Sequence, residues 1–316
     1  MSKIDWVPIW RALQQGDRVD VVAPASGAPV EQVEAGIAVL ESWGLKVRVA
    51  DPLQKPDPFF AHQDSVRWAQ LRKALLARDS AAVWCARGGV GCLRLLPNLA
   101  RLKRPGIAPK PLIGFSDVTV LLTALDAKWG WMPIHGPVLT SLTPGRLARG
   151  QATLMRDVLF GECSEVQVNG LTPMNQAARE SDGLSGRLLG GNLATLQTLC
   201  GTVAQPRGNR RIVFLEDVNE RGYEIDRMLT ALELTGVFKG AVAVVFGQFE
   251  YPNSGQSGKT YCGLALQNFA RRMRLPVFKG AHLGHGRHLP PLLIGAPAHI
   301  VPSGGRWRLT MPLRHT

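Results

Sequence analysis

Ser116 lies between a predicted strand and a predicted helix, where a fold can present a nucleophile. Residues 111–115 are compact and apolar, as in a buried strand. From Val118 onward, apolar residues recur at i, i+3, i+4 and i+7, which indicates one face of a helix. A serine at so sharp a turn has an exposed hydroxyl beside the free N–H groups of the helix start. The alternative is that Ser116 only caps the helix, because serine is a preferred N-cap residue.

A serine nucleophile needs a base, and the base needs an acid that orients it. His285 follows a predicted strand and is flanked by Gly284 and Gly286, which allow a close backbone approach. Glu216 ends the apolar strand predicted over 211–215. A hydrated loop histidine and a surface salt bridge are the respective alternatives. The order Ser116, Glu216, His285 matches one known order of catalytic triads.

The elements that would position these residues alternate between strand and helix. Residues 17–26 are predicted to be a strand that runs into a loop, further strands are predicted over 45–50, 81–86 and 111–115, and a helix follows each strand. This alternation predicts a parallel sheet that helices cover on both faces. Ligands of such sheets bind beyond the carboxyl ends of the strands, where both the turn Arg87–Gly91 and Ser116 are expected.

The pattern weakens between residues 142 and 183, where Pro, Gly, Gln and Arg become more frequent. We therefore predict a first domain over 1–141, a connection over 142–183 and a second domain over 184–316. The second domain has predicted strands at 211–215, 241–246 and 276–279 and a β-rich tail. The predicted fold class is α/β, with a parallel-sheet domain followed by a smaller α/β domain that has β-rich elements.

Composition narrows the function classes. Apolar residues make up 45% of the 316 residues, but no run approaches the roughly 20 residues of a membrane helix. No secretory signal is recognisable, so we expect a cytoplasmic protein that does not enter a membrane. The five cysteines are dispersed without a Cys-x-x-Cys pair, which argues against a disulfide framework or a structural zinc site.

The net charge of +13 would attract anions, including nucleic acid. However, the basic residues are scattered, and aromatic residues do not alternate with them as a stacking platform requires. We expect no specific nucleic-acid binding and a mild preference for a small anionic substrate.

Several motifs together resemble the LD-carboxypeptidase family of serine peptidases, which includes muramoyltetrapeptide carboxypeptidases and microcin C immunity peptidases. They cover nearly the whole chain in the expected order. The motifs are Val22–Ser26, Arg87–Gly91, Arg94–Pro97, Ile113–Thr119, His135–Pro137, Gly190–Leu193, Gly201-Thr202, Leu215–Glu220, Tyr223–Leu229 and Gly284-His285.

The resemblance implies a role for each matching residue. The nucleophile falls on Ser116, the base on His285, and the acid on Glu216 as the first member of a Glu-Asp pair. The oxyanion donors would be the backbone N–H groups of Asp117 and Gly89. The resemblance also implies a flavodoxin-like first domain, a mechanism without metal or cofactor, and a homodimer.

Two features depart from the family pattern. Val90 occupies a position where the family commonly has Tyr, so a phenol contact is lost or supplied elsewhere. The apolar part of residues 286–295 is also longer than expected. Both departures concern substrate choice and leave the three catalytic residues intact.

These observations predict a serine carboxypeptidase that cuts an L-to-D peptide bond and releases D-alanine from a murein tetrapeptide. Arg87 and Arg94 are candidates for binding the substrate's terminal carboxylate, and for each a structural ion pair is equally open. The alternatives are a microcin C-type immunity peptidase acting on a peptide–nucleotide conjugate, and a non-catalytic relative that binds a small ligand.

Overall fold

The computed structural model describes residues 10–51, 53, 57–250 and 255–315, without the side chains of 255–260. The chain forms two compact units. The first unit contains residues 10–164, Pro290–Gly295 and 313–315. The second unit contains Glu165–Leu289 and Ala296–Pro312.

The first unit alternates strand and helix, as predicted. Its elements are β1 (Arg18–Val22), α1 (Val30–Ser42), β2 (Lys46–Val49), α2 (Asp64–Leu76), β3 (Ala82–Cys85), α3 (Cys92–Arg101), β4 (Leu112–Gly114), a 3₁₀ turn (Ser116–Val118), α4 (Thr119–Trp129), β5 (Ile134–His135), a second 3₁₀ turn (Leu139–Leu142) and α5 (Gln151–Phe160).

The sheet of the first unit has the flavodoxin-like strand order β2-β1-β3-β4-β5, and these strands are parallel. Its central strands are apolar at nearly every position because both faces are covered, and β3 is wholly buried. β1, β3 and β4 are neighbours, so the loops that follow them emerge at the same edge of the sheet. The loop after β1, the glycine turn after β3 and Ser116 after β4 all lie there.

The second unit is built on a closed sheet of seven strands, in the order β10-β6-β13-β12-β7-β8-β9. β7, β8, β9 and β10 run parallel to one another, and the remaining pairs are antiparallel. The elements are β6 (Glu165–Pro173), α6 (Gln176–Arg179), β7 (Leu184–Asn192), α7 (Leu193–Thr198), β8 (Arg211–Val218), α8 (Gly222–Leu234), β9 (Ala243–Glu250), α9 (Gly255–Arg272), β10 (Val277–Lys279), β12 (Pro297–Ser303) and β13 (Arg306–Pro312). The predicted α/β class with a parallel-sheet first domain is confirmed.

The predicted domain boundaries differ from the structure. Residues 142–183, predicted to be the connection between the domains, contain α5, β6 and α6. One unit gives way to the other at Ser164 and Glu165. β6 was missed because its burial alternates irregularly, with Gly170 at a φ of +86° interrupting the strand.

The chain also returns to the first unit near its end. β11 (Leu292–Leu293) pairs antiparallel with β5 at the edge of the first sheet. Leu292, Leu293 and Ile294 are fully buried there. The unusually long apolar stretch after His285 is therefore an added edge strand. No described helix has the length and apolar content needed to span a membrane.

Candidate active site

Ser116 adopts a backbone conformation that non-glycine residues rarely occupy, with a φ of +62°. It is half-buried and begins the 3₁₀ turn that leads from β4 into α4. Neither that turn nor α4 has a side-chain hydrogen bond capping its N-terminus. The interpretation of Ser116 as a simple N-cap is therefore wrong. A strained turn between a strand and a helix is the geometry that exposes a serine hydroxyl at the end of a sheet.

The glycine turn after β3 packs directly against Ser116. A Cβ on Gly88 would lie 3.0 Å from the Ser116 Cβ, tighter than an ordinary contact, so glycine favours this close approach. Gly89 has a φ of +106°, and a Cβ there would collide with the Ser26 side chain. Ser26 holds the turn in two ways: its N–H donates to Gly88 O (3.2 Å), and its Oγ accepts from Val90 N–H (3.1 Å). The three loops at this edge of the sheet thus contact one another.

The two predicted substrate-binding arginines differ in their surroundings. The Arg87 guanidinium is exposed, and its Nη1 donates to Gly27 O at 2.9 Å. Arg94 forms an ion pair in which its Nε donates to Asp64 Oδ2 at 2.7 Å, and it stacks on the Phe60 ring. The structural alternative therefore describes Arg94. Val90, at the family's Tyr position, is 46% exposed.

In the second unit, His285 Nδ1 lies 2.7 Å from Glu216 Oε2. Because a carboxylate only accepts hydrogen bonds, Nδ1 carries a proton, and in the neutral imidazole Nε2 is the acceptor. The Glu216 side chain is fully buried, which rules out a surface salt bridge, and the His285 side chain is only 17% exposed. Burial alone lowers the pKa of His285, but the hydrogen bond and charge of Glu216 outweigh it, so the pKa is raised.

A bulge in β9 anchors the loop that carries His285. The register between β8 and β9 shifts after Leu215, leaving one extra residue in β9 opposite Glu216. At this bulge Gln248 N–H donates to Leu283 O at 2.8 Å. Gly284, with a φ of +135°, then passes so close that a Cβ there would lie 3.0 Å from Glu216 Oε2. Sequence reasoning missed the bulge because register depends on the partner strand.

Asp217 fixes the end of β8 from the other side. Its carboxylate accepts hydrogen bonds from Asn192 Nδ2, Ala194 N–H and Val218 N–H, each at 2.8 Å. These contacts explain why the Gly-Gly-Asn motif and the Glu-Asp pair occur together, since Asn192 and Glu216 are partners in the parallel pair β7–β8. Burial, together with the charge of Glu216, raises the pKa of Asp217 to about 7.

The structure thus brings Glu216 and His285 together in the second unit, and the glycine turn and Ser116 together in the first. Within the described residues, no group of three or more His, Cys, Asp or Glu side chains is placed to hold a metal ion. Cys85 and Cys92 are buried, and burial raises the pKa of both thiols.

Comparisons with known proteins match most of the chain to one family. The LD-carboxypeptidase N-terminal domain matches residues 19–136, and the LD-carboxypeptidase C-terminal domain matches residues 185–300. A protein of Rickettsia conorii is 34% identical over 287 residues, covering 90% of this chain and 88% of that protein. The murein tetrapeptide carboxypeptidase of Pseudomonas aeruginosa is 30% identical over 310 residues, covering 96% and 97%.

Solved structures agree with this match. The muramoyltetrapeptide carboxypeptidase from Oxalobacter formigenes superposes with a TM-score of 0.80 at 28% identity, covering 95% of this chain and all of that one. The microcin self-immunity protein of Escherichia coli is a more distant relative, 26% identical over 307 residues and covering 88% of each chain. On this evidence, the chain belongs to the LD-carboxypeptidase family of serine peptidases.

Proposed function

We propose that this protein is a serine carboxypeptidase that hydrolyses an L-to-D peptide bond and releases D-alanine from a murein tetrapeptide, in peptidoglycan recycling. The observation that carries the proposal is the buried Glu216–His285 pair, 2.7 Å apart, in a chain that also presents Ser116 on a strained turn. The names of the Pseudomonas and Oxalobacter relatives support the choice of substrate.

In this mechanism Ser116 Oγ attacks the carbonyl carbon of the scissile bond while His285 Nε2 takes the hydroxyl proton. Glu216 holds the resulting imidazolium through Nδ1–H. The backbone N–H groups of Gly89 and Asp117 stabilise the oxyanion, and His285 passes its proton to the amine of the departing D-alanine. Water, deprotonated by His285, then hydrolyses the acyl-enzyme ester.

A carboxypeptidase must also recognise a free terminal carboxylate. We assign this role to Arg87, because its guanidinium is exposed and donates its hydrogen bond to a neutral carbonyl, Gly27 O. The ion pair with Asp64 makes Arg94 the weaker candidate.

The activity test is to incubate the purified protein with a murein tetrapeptide and measure D-alanine by chiral chromatography. We expect release by the wild type and none by Ser116→Ala. A fluorophosphonate should label Ser116, and His285→Gln should slow that labelling strongly. A wild type that neither releases D-alanine nor is labelled would favour the non-catalytic ligand-binding alternative.

The second candidate substrate is a microcin-type peptide–nucleotide conjugate. Val90 in place of Tyr and the similarity to the microcin self-immunity protein favour testing it. Cleavage of such a conjugate without release of D-alanine from the tetrapeptide would establish this alternative.

We further infer a cytoplasmic location and a homodimer. A reducing compartment fits the cysteines, all five of which are free. The dimer rests on the family resemblance. Cell fractionation tests the location, and sedimentation equilibrium at micromolar concentration tests the dimer, with a mass of 34.3 kDa expected for one chain.

A further inference from the structure

Two buried charged side chains hold the same peptide group at the end of the glycine turn. Asp117 Oδ2 accepts a hydrogen bond from Cys92 N–H at 2.8 Å. Arg67 Nη1 donates to Gly91 O at 3.1 Å. The carbonyl and the N–H belong to one peptide group, Gly91–Cys92. The guanidinium of Arg67 therefore binds one side of this peptide group, and the carboxylate of Asp117 binds the other.

Arg67 connects this peptide to two other loops. Its side chain has no exposed surface. Besides Gly91 O, it donates to Pro24 O in the loop after β1 and to His62 O (2.9 Å) before α2. Its Nη2 also pairs with Asp64 at 2.5 Å. The fixed fork of a guanidinium suits such convergent contacts, which a lysine could not make together.

Asp117 connects the peptide to the nucleophile, because it directly follows Ser116. Its side chain is buried at the N-terminus of α3, where the first N–H groups lack partners within the helix and a carboxylate is favoured. The side chain of Asp117 thus serves the glycine turn, while its backbone N–H is one of the proposed oxyanion donors.

The turn needs such support because its own backbone is permissive. Gly89 and Gly91 both have positive φ, at +106° and +129°. Glycines in this region have many accessible conformations, so the position of the Gly89 N–H depends on contacts from outside the turn.

We propose that the side chains of Arg67 and Asp117 are positioning residues, which hold the Gly91–Cys92 peptide and thereby set the Gly89 donor at the correct distance from the Asp117 donor. The inference rests on the proposed function, because it assigns the oxyanion donors to these two residues. Neither side chain needs to touch the substrate.

The test compares Asp117→Ala, Asp117→Asn and Arg67→Lys at a temperature where all three remain folded. We expect Asp117→Ala and Arg67→Lys to lower kcat by about 100-fold with little change in KM, because a misplacement of about 1 Å has that cost. Asp117→Asn retains an oxygen that can accept from Cys92 N–H, so it should recover much of the loss.

Asp20→Ala is the matched control. Asp20 is also buried in the first unit and paired with an arginine, Arg48, but it lies in β1 away from the turn. We expect it to lower the melting temperature while kcat is unchanged. If Asp117→Ala and Arg67→Lys behave like this control, their role is only structural and the proposal is overturned.

A second measurement separates this proposal from the proposed function. Labelling of Ser116 by a fluorophosphonate also requires an oxyanion site for the phosphoryl oxygen. If the wild type is labelled but releases no D-alanine, the proposed function fails. The labelling rates then test the present inference. Slower labelling of Asp117→Ala and Arg67→Lys than of the wild type supports it, and equal rates overturn it.

Discussion

The neighbours of His285 favour its protonated form, the imidazolium. The imidazolium must lose a proton before His285 can act as a general base. Its Nδ1–H donates to Glu216, and this hydrogen bond, together with the charges of Glu216, Asp217 and Glu250, outweighs burial and raises its pKa. At low pH the neutral imidazole, in which Nε2 is unprotonated, is therefore the minor form of His285. The dependence of rate on pH reports directly on this pair.

The first prediction concerns that pH dependence. In the wild type, kcat/KM should rise with pH through a midpoint above the ordinary value for histidine, because the raised pKa of His285 keeps it protonated longer. Glu216→Gln removes the charge that favours the imidazolium, so the midpoint should move to lower pH. The plateau rate should also fall by about 10,000-fold, the order seen when a triad acid is neutralised. An unmoved midpoint would contradict the pairing of these two residues in catalysis.

The second prediction concerns Arg87. Arg87→Gln should raise KM for a tetrapeptide about 10-fold or more, since a hydrogen bond to a charged group contributes about 1.5–3 kcal/mol. The same variant should barely change KM for the C-terminal amide of that peptide. Arg94→Gln is the control, and steady-state kinetics on both peptides should leave it near wild type. A reversal between the two variants would reassign the carboxylate to Arg94.

At the scale of elements, parallel neighbours bring the loops of each unit to one edge. In the second unit Gly284 passes close to Glu216, next to the bulge in β9. The β8 end is fixed independently by Asp217 and α7. We therefore expect positions along these strands to influence catalysis without supplying a reacting atom.

The third prediction is that Gly284→Ala impairs catalysis by displacing the His285 loop. Its φ of +135° strains any other residue, and the added Cβ would lie 3.0 Å from Glu216 Oε2. We expect a loss of about 1–3 kcal/mol in unfolding free energy and a lower kcat. Gly304→Ala is the control, because Gly304 also has positive φ (+57°) but faces open space. It should reduce stability without reducing kcat, as measured by denaturant unfolding and kinetics.

The fourth prediction concerns stability and pH. The pKa of Asp217 is raised from 3.8 to about 7 in the folded protein, so the folded state binds the proton more tightly than the unfolded state. Its contribution is complete below pH 4 and is lost as the pH rises toward 7, by a few kcal/mol at about 1.4 kcal/mol per pKa unit. Asp217→Asn should flatten this part of the curve in denaturant titrations from pH 4 to 8. A curve as steep as that of the wild type would assign the pH dependence to other groups.

At the scale of the whole molecule, the net charge of +13 acts on every anionic substrate. The charged field extends over about 30 Å at 0.01 M salt but only about 8 Å at 0.15 M. Association of a peptide that carries several carboxylates should therefore depend on ionic strength.

The fifth prediction is that kcat/KM for an anionic murein tetrapeptide falls severalfold between about 0.01 and 0.15 M salt, while kcat stays constant. The rate of labelling by an uncharged fluorophosphonate serves as the control and should not change. Equal salt dependence of the two reactions would mean that salt acts on the protein's structure and not on substrate encounter.

Much of this architecture could be predicted from local patterns. Buried parallel strands are apolar throughout, and the apolar residues of amphipathic helices recur with the helical period. Short segments of sequence therefore predict the alternation of strands and helices in the first unit. Local patterns did not predict β6 within residues 142–183, where the pattern is irregular, or the pairing of β11 with β5 after His285. Both elements depend on partners that are distant in the sequence.

The sequence by itself determined the residue types that can do chemistry, their order along the chain and the motifs that relate it to its family. The tertiary structure decided that Ser116 is strained rather than a cap, that Glu216 is buried against His285, and that Arg94 is paired with Asp64. The tertiary structure also showed that Arg67 is buried. The neighbouring residues in the sequence do not predict this burial, because arginine is usually exposed. The physical reason is that hydrophobic periodicity acts over a few residues, whereas register, burial of charge and backbone strain depend on which segments pack together.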